Sequence, residues 1–145
     1  MILRAAAIAI SLTGCLDALA PDVGPIAQPQ MMECPGDSNP AIVVTYTDIE
    51  NVFDRGGCSD CHTGDGLGIR QSGLNLRTYS TLRTGGGRSG ASIVIDGDPC
   101  ASILVQKIET SPPFGRRMPY DGPPYLTMID IQLVRDWIDE GARDN

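Results

Sequence analysis

Histidine and lysine each occur once in the 145 residues, as His62 and Lys107, and tryptophan occurs once, as Trp137. A single imidazole excludes any site that takes two histidine ligands from one chain. Aromatic residues are sparse, two Phe and four Tyr beside the one Trp. A core made only of protein side chains would therefore be thin, and a large apolar cofactor would help to fill it. Basic side chains number 11 against 18 acidic ones, a balance that argues against nucleic acid as a partner. Beyond the first residues no apolar run is long enough to cross a bilayer.

The N-terminus carries what the rest lacks. Arg4 precedes a short apolar run from Ala5 to Leu12, the form of an export signal rather than of a permanent span. Leu12-Thr13-Gly14-Cys15 resembles the bacterial lipobox, in which a diacylglycerol is attached to the cysteine that becomes the first mature residue. The expectation is a signal peptide over 1–14 and a lipid on Cys15; an ordinary signal cut nearby is the alternative. Leu16, rather than Asp, follows Cys15, which favours outer-membrane sorting in the periplasm. Removing Arg4 with the signal leaves 10 basic and 18 acidic side chains, a net of −8. Such a charge steers the chain towards basic partner surfaces and says nothing of fold.

From Asp17 to Pro40 the sequence is rich in proline, with Gln, Asp, Asn and Gly and no hydrophobic periodicity. Residues 15–40 read as a flexible tether, and 41–145 as the folded domain. Thr47-Asp48-Ile49-Glu50 has the form of a capping box, and Ile49, Val52 and Phe53 then share one side of a helix that Gly56-Gly57 stops. Turn residues follow to Gly73, then Leu74-Asn75-Leu76 and a short helix from Tyr79 to Arg83. Gly85-Gly86-Gly87 and Gly90 read as a flexible loop, without the Lys-Ser/Thr ending of a phosphate cradle. Ile93-Val94-Ile95 is β-prone. Asp98-Pro99 offers an N-cap with Pro at the first position of a helix carrying Ile103, Leu104 and Ile108. Thr127 caps a last helix with Ile131, Val134, Trp137 and Ile138 at three- and four-residue spacing, ending at Gly141. The fold class is mostly α, with long loops.

Cys58-Ser59-Asp60-Cys61-His62 carries the chemistry. Two thiols three residues apart can add to the two vinyl groups of one porphyrin, while the next residue reaches the iron. A thioredoxin-like pair would need a strand before the motif and a helix starting at it. Zinc would need four ligands, which Cys34, Cys58, Cys61 and Cys100 could supply. Covalent haem accounts for the cysteines best: Cys15 takes the lipid, Cys58 and Cys61 the haem, and Cys34 with Cys100 remain for one disulfide in an oxidising compartment. Unconnected thiols or metal ligands are the alternatives for that last pair. With His62 on one side of the iron, the other axial position falls to Met, Lys, a weaker donor, water, or nothing. Met31 and Met32 lie in the tether and Met128 starts a helix. Met118, in the loop Gly115-Arg116-Arg117-Met118-Pro119, is the best-placed thioether, against a plain packing role.

These features together resemble a class I cytochrome c. More narrowly, Gly73-Leu74-Asn75-Leu76, Gly97-Asp98-Pro99, Ser102-Ile103-Leu104, Arg117-Met118-Pro119, Leu126-Thr127 and Trp137 to Ala142 resemble the planctomycete-type cytochrome c-like domain. Asp96 departs from the proline expected before Gly97. The resemblance implies a cytochrome c-like fold around one covalent haem c, with Leu74 and Leu76 facing it and Trp137 packing the last helix on the first. For these three, ordinary core packing serves equally well. Arg116 and Arg117 would pair with the propionates or be solvated. The implied function is single-electron transfer in the bacterial envelope, with envelope redox proteins as partners and the membrane reached through the lipid. No acid/base pair or nucleophile constellation points to an enzyme. The alternatives are a haem-based ligand sensor and a lipid-anchored docking subunit of an envelope redox complex.

Overall fold

In the computed structural model, which describes residues 35–145, helix α1 runs Tyr46–Arg55 and starts two residues before the expected point. Thr45, not Thr47, is the N-cap. Its hydroxyl accepts from the Asp48 N–H at 3.2 Å, and the Asp48 carboxylate accepts from the Thr45 N–H at 2.9 Å. Hydrogen bonds from Thr45 hold the Asp48 carboxyl below the ordinary range. The earlier start buries Tyr46, whose ring lies 5.4 Å from Tyr79 and 5.9 Å from Trp137. That burial decides between two overlapping capping patterns. Ile49, Val52 and Phe53 form the buried face, as expected.

Gly56 ends α1, and Gly57, at φ +66°, turns the chain into α2 (Cys58–His62). The region expected to be only turns holds α3 (Leu67–Ser72), a helix with no buried residue and hence no apolar stripe to announce it. Helix α4 (Tyr79–Thr84) follows, capped by Thr78 and Thr81 reciprocally.

Ile93-Val94-Ile95 makes no strand, and none occurs among the described residues. A 3₁₀ turn (Gly90–Ile93) leads into extended Val94, and both Ile93 and Val94 enter the core. Asp98 does not cap a helix at Pro99: its carboxylate accepts from the Ala101 N–H at 2.9 Å to close a turn. Helix α5 (Ile103–Ile108) starts later, after Ser102. The buried Ser102 hydroxyl accepts from the Ile95 N–H and donates to the Asp98 carbonyl, 2.8 Å each, and so makes no cap bond.

Helix α6 (Met128–Asp139) is capped by Thr127 as expected and buries Ile131, Val134, Trp137 and Ile138. Trp137 is fully buried between α6 and α1, and its Nε1 donates to the Arg143 carbonyl at 3.0 Å. The chain is already tied down upstream of Ala41. The Asp37 N–H donates to Asp139, the Ser38 N–H to Asp136, both at 3.0 Å, and the Val44 N–H to Glu140. Cys100 is disulfide-bonded. Its expected partner Cys34, the expected signal segment 1–14 and lipidation site Cys15, and Met31 and Met32 lie outside the described residues. No described helix is long and apolar enough to cross a membrane.

The two capping patterns are separable by experiment. Thr45→Ala is expected to lower stability by about 1 kcal/mol, whereas Thr47→Ala stays within about 0.5 kcal/mol. Guanidinium titrations followed by far-UV circular dichroism check the difference, and equal effects would place the cap wrongly.

Candidate haem site

Helix α2 brings the motif to the edge of a cavity of about 390 Å³, within the range of small-molecule and cofactor sites. Cys58 and His62 line it, and Cys61 is exposed, outside the lining. Burial pushes the Cys58 thiol up to about 11, so it is protonated at neutral pH.

His62 is 9% exposed, and its Nδ1 lies 3.1 Å from the Leu74 carbonyl. A carbonyl can only accept, so the partner assigns the proton to Nδ1 and leaves the Nε2 lone pair for a metal. The same segment returns a second bond, from the Leu76 N–H to the His62 carbonyl at 2.8 Å. Gly68 supports the ring from α3. A Cβ there would stand 2.7 Å from His62 Cε1 and 2.8 Å from its Nδ1, so any larger residue displaces the imidazole. Gly66 is equally constrained, with a would-be Cβ 2.2 Å from the Cys61 carbonyl oxygen.

The walls are apolar: Val52 and Phe53 from α1, Leu74 and Leu76, Ile103, Leu104 and Ile108 from α5, Leu126, and Val134 from α6. Met118 lines the same cavity, half-buried, with its N–H donating to the Lys107 carbonyl at 2.8 Å. Met128 is 79% exposed at the start of α6 and is no rival. The glycine run is a wall rather than a flexible loop. Gly86 approaches the end of α3 so closely that a Cβ would be 2.6 Å from the Ser72 carbonyl oxygen, and the Gly87 N–H donates to that oxygen at 2.7 Å.

A thiol, an imidazole with its coordinating nitrogen free, and a thioether thus meet on one apolar cavity. This donor set fits a covalently attached haem, with Cys61 available at the exposed margin. Residues 58–122 match the family model described as Planctomycete cytochrome C. The segment is a planctomycete-type cytochrome c domain. The family implies covalently bound haem c with its iron. No curated protein and no solved structure matches the chain. The match takes in the cysteine motif and Met118; the similarity read further out, from Ala41 and on to Ala142, lies beyond it.

Neither alternative for the cysteine pair has a site here. The motif follows a helix and no described strand precedes it, unlike a thioredoxin-like pair. Cys100 is in a disulfide, and no three His, Cys, Asp or Glu side chains gather for a metal among the described residues.

Of the two arginines weighed as propionate partners or solvated side chains, only Arg116 is on the lining, its guanidinium 5.0 Å from the Tyr120 ring centroid. Arg117 turns away: its Nε donates to the Ile108 carbonyl at 2.9 Å and its guanidinium lies 4.1 Å from the Tyr125 ring centroid. Two further cations, Arg88 and Lys107, line the cavity, and among the described residues no Asp or Glu does. Lys107 was legible in principle, since it shares one helical face with Ile103, Leu104 and Ile108. Arg88 follows the glycine run and belongs to no pattern.

Gly68→Ala is expected to cut the yield of haem-loaded protein by roughly ten-fold, the size of effect seen when support to a metal ligand is lost. Gly36→Ala, where the added Cβ makes only an ordinary 3.8 Å contact with the Asp139 carboxylate, should leave the haem content per polypeptide near that of the parent. Haem staining against total protein compares them.

Proposed function

We propose that the protein is a mono-haem c-type cytochrome that carries single electrons in the bacterial cell envelope. The haem is bonded to Cys58 and Cys61, and its iron is held between His62 and Met118. What carries the reading is the convergence of Cys58, His62 and Met118 on one cavity, with the His62 Nδ1 proton committed to Leu74.

When bound, the haem supplies a ferric/ferrous couple whose potential a thioether ligand raises relative to stronger donors. The residues of the chain do the rest. The Leu74 carbonyl fixes the tautomer and the direction of the His62 ring. Val52, Leu76, Leu104, Leu126 and Val134 exclude water, so little has to rearrange when charge changes. Arg88 and Arg116 lie where propionates can meet them. Among the described residues the lining carries no carboxyl, in keeping with electron carriage.

The location rests on the sequence: a signal over 1–14, a lipid on Cys15 and a tether place the domain in the periplasm, held to a membrane, with the outer membrane preferred. The net charge favours envelope redox partners that present a basic surface.

Expression with the c-type maturation machinery provides the test. A pyridine haemochrome spectrum should report one covalent haem per chain, and the ferric protein should show the methionine-to-iron charge-transfer band. That band should vanish in Met118→Ala, with a fall in reduction potential. Absence of covalent haem would sink the reading. Carbon monoxide binding by the reduced protein without denaturant would point to a ligand sensor instead.

A further inference from the structure

The loop that carries Met118 is held by one residue from two directions. Lys107, on α5, donates from Nζ to the Phe114 carbonyl at 2.7 Å and to the Arg116 carbonyl as well. Its ammonium also lies 5.0 Å from the Phe114 ring centroid. Its own carbonyl accepts the Met118 N–H at 2.8 Å. Between the two carbonyls that the ammonium grips stands Gly115, at φ +61°, where a Cβ would lie 3.6 Å from Nζ.

The arrangement follows from elementary needs. The last carbonyls of a helix have no partner within it, and the loop supplies donors to two of them: the Met118 N–H to Lys107 and the Arg117 Nε to Ile108. The loop's own carbonyls at 114 and 116 need donors in return, and a flexible stem ending in three N–H groups can serve both. Hydrogen bonds from a charged donor are stronger than neutral ones. Since Lys107 is the only lysine in the chain, no neighbouring lysine can substitute.

We propose that Lys107 is the positioning residue for the sixth iron ligand: its ammonium and its backbone carbonyl together hold the 114–118 loop so that Met118 stays in the cavity. This rests on the reading of Met118 as ligand. Loss of the ammonium would free the loop at Phe114 and Arg116 and leave it tied to α5 only at its far end, by the Met118 N–H bond to Lys107 and the Arg117 Nε bond to Ile108. An external ligand would then displace the thioether more easily, while the His62 side of the site stayed as it was.

Imidazole titrated into the full-length ferric haem protein reads this directly, through the shift of the Soret band, accompanied by loss of the charge-transfer band in the proteins that keep Met118. Lys107→Leu is expected to bind imidazole at least ten-fold more tightly than the parent, and Lys107→Arg, which keeps donors and charge, within three-fold. In Met118→Ala, where nothing competes, adding Lys107→Leu should change imidazole affinity less than two-fold. Parent-like imidazole affinity in Lys107→Leu would overturn the proposal, and so would an equal gain in the Met118→Ala background. A charge-transfer band that survives Met118→Ala would instead defeat the ligand assignment itself. If Lys107→Leu does not fold, the sole lysine allows the same test on folded parent protein. Acetylation should reproduce the ten-fold gain, guanidination should not, and acetylated Lys107→Arg controls for the α-amino group. No gain on acetylation of Lys107 also overturns the proposal.

Discussion

The hydrogen bond from His62 Nδ1 to the Leu74 carbonyl is the constraint on which the site turns. The chain has one imidazole to offer, so its tautomer and direction cannot be left to chance. A neutral hydrogen bond of this kind contributes only about 1 kcal/mol to stability; its value lies in orientation. Several features support it. Residues 74–76 lie beside α2, which the Leu76 bond to His62 secures. Helix α3 passes close to the ring, which requires glycine at 68, and the turn before it packs on the Cys61 carbonyl, which requires glycine at 66. The glycine wall at 86–87 must in turn close on the end of α3.

The helices fall into two groups with different sources of stability. Helices α1 and α6, of 10 and 12 residues, cross with Trp137 and Tyr46 between them and form a conventional side-chain core. Helices α2 to α5 have only five or six residues each. Isolated helices shorter than about 12 residues are marginal in water, so the short ones depend on caps, glycine contacts and the surfaces they share. Those that bear the site surround the cavity rather than a filled core. The haem that the family implies has a large apolar face suited to those walls, which fits a domain with so few aromatic residues of its own.

How far the sequence announced this depends on the kind of signal. The motif at 58–62 is legible because covalent attachment fixes its spacing, and Met118 because the other methionines fall in poor places. The faces of α1 and α6 are legible because burial imposes periodicity. The start of α1 is not, since Thr45-x-x-Asp48 and Thr47-x-x-Glu50 carry the same local pattern and only the distant Tyr79 and Trp137 select between them. Helix α3 is invisible because it buries nothing. Ile93 to Ile95 look like a strand because β-branched residues suit any buried extended segment, and among the described residues no strand pairs with them. The glycine run conceals its role for a similar reason: close approach to Ser72 is a long-range contact that local composition cannot separate from flexibility.

Charge is distributed against the net balance of the protein. Several acidic side chains meet backbone and arginine away from the cavity: Asp48, Asp136, Asp139 and Glu140 accept main-chain N–H groups, and Asp96, Glu109 and Asp130 pair with Arg83, Arg135 and Arg55. Among the described residues the cavity lining carries Arg88, Lys107 and Arg116 and no carboxylate. Arg88 and Lys107 lie near the Phe114 ring and Arg116 near Tyr120, at 5.0 to 5.6 Å from the centroids. Ring faces hold cations without neutralising them, so the positive field remains available inside the cavity. Burial and the nearby Arg88 accordingly hold the Lys107 ammonium below its ordinary pKa. Within a low-dielectric enclosure such a field acts strongly on any charge that arrives. It attracts carboxylates carried by a haem, and where those leave it unbalanced it favours the less positive state of the iron. The fold thus uses acidic side chains to hold its backbone and outer arginines, and leaves Arg88, Lys107 and Arg116 facing the cavity without a carboxylate on its lining.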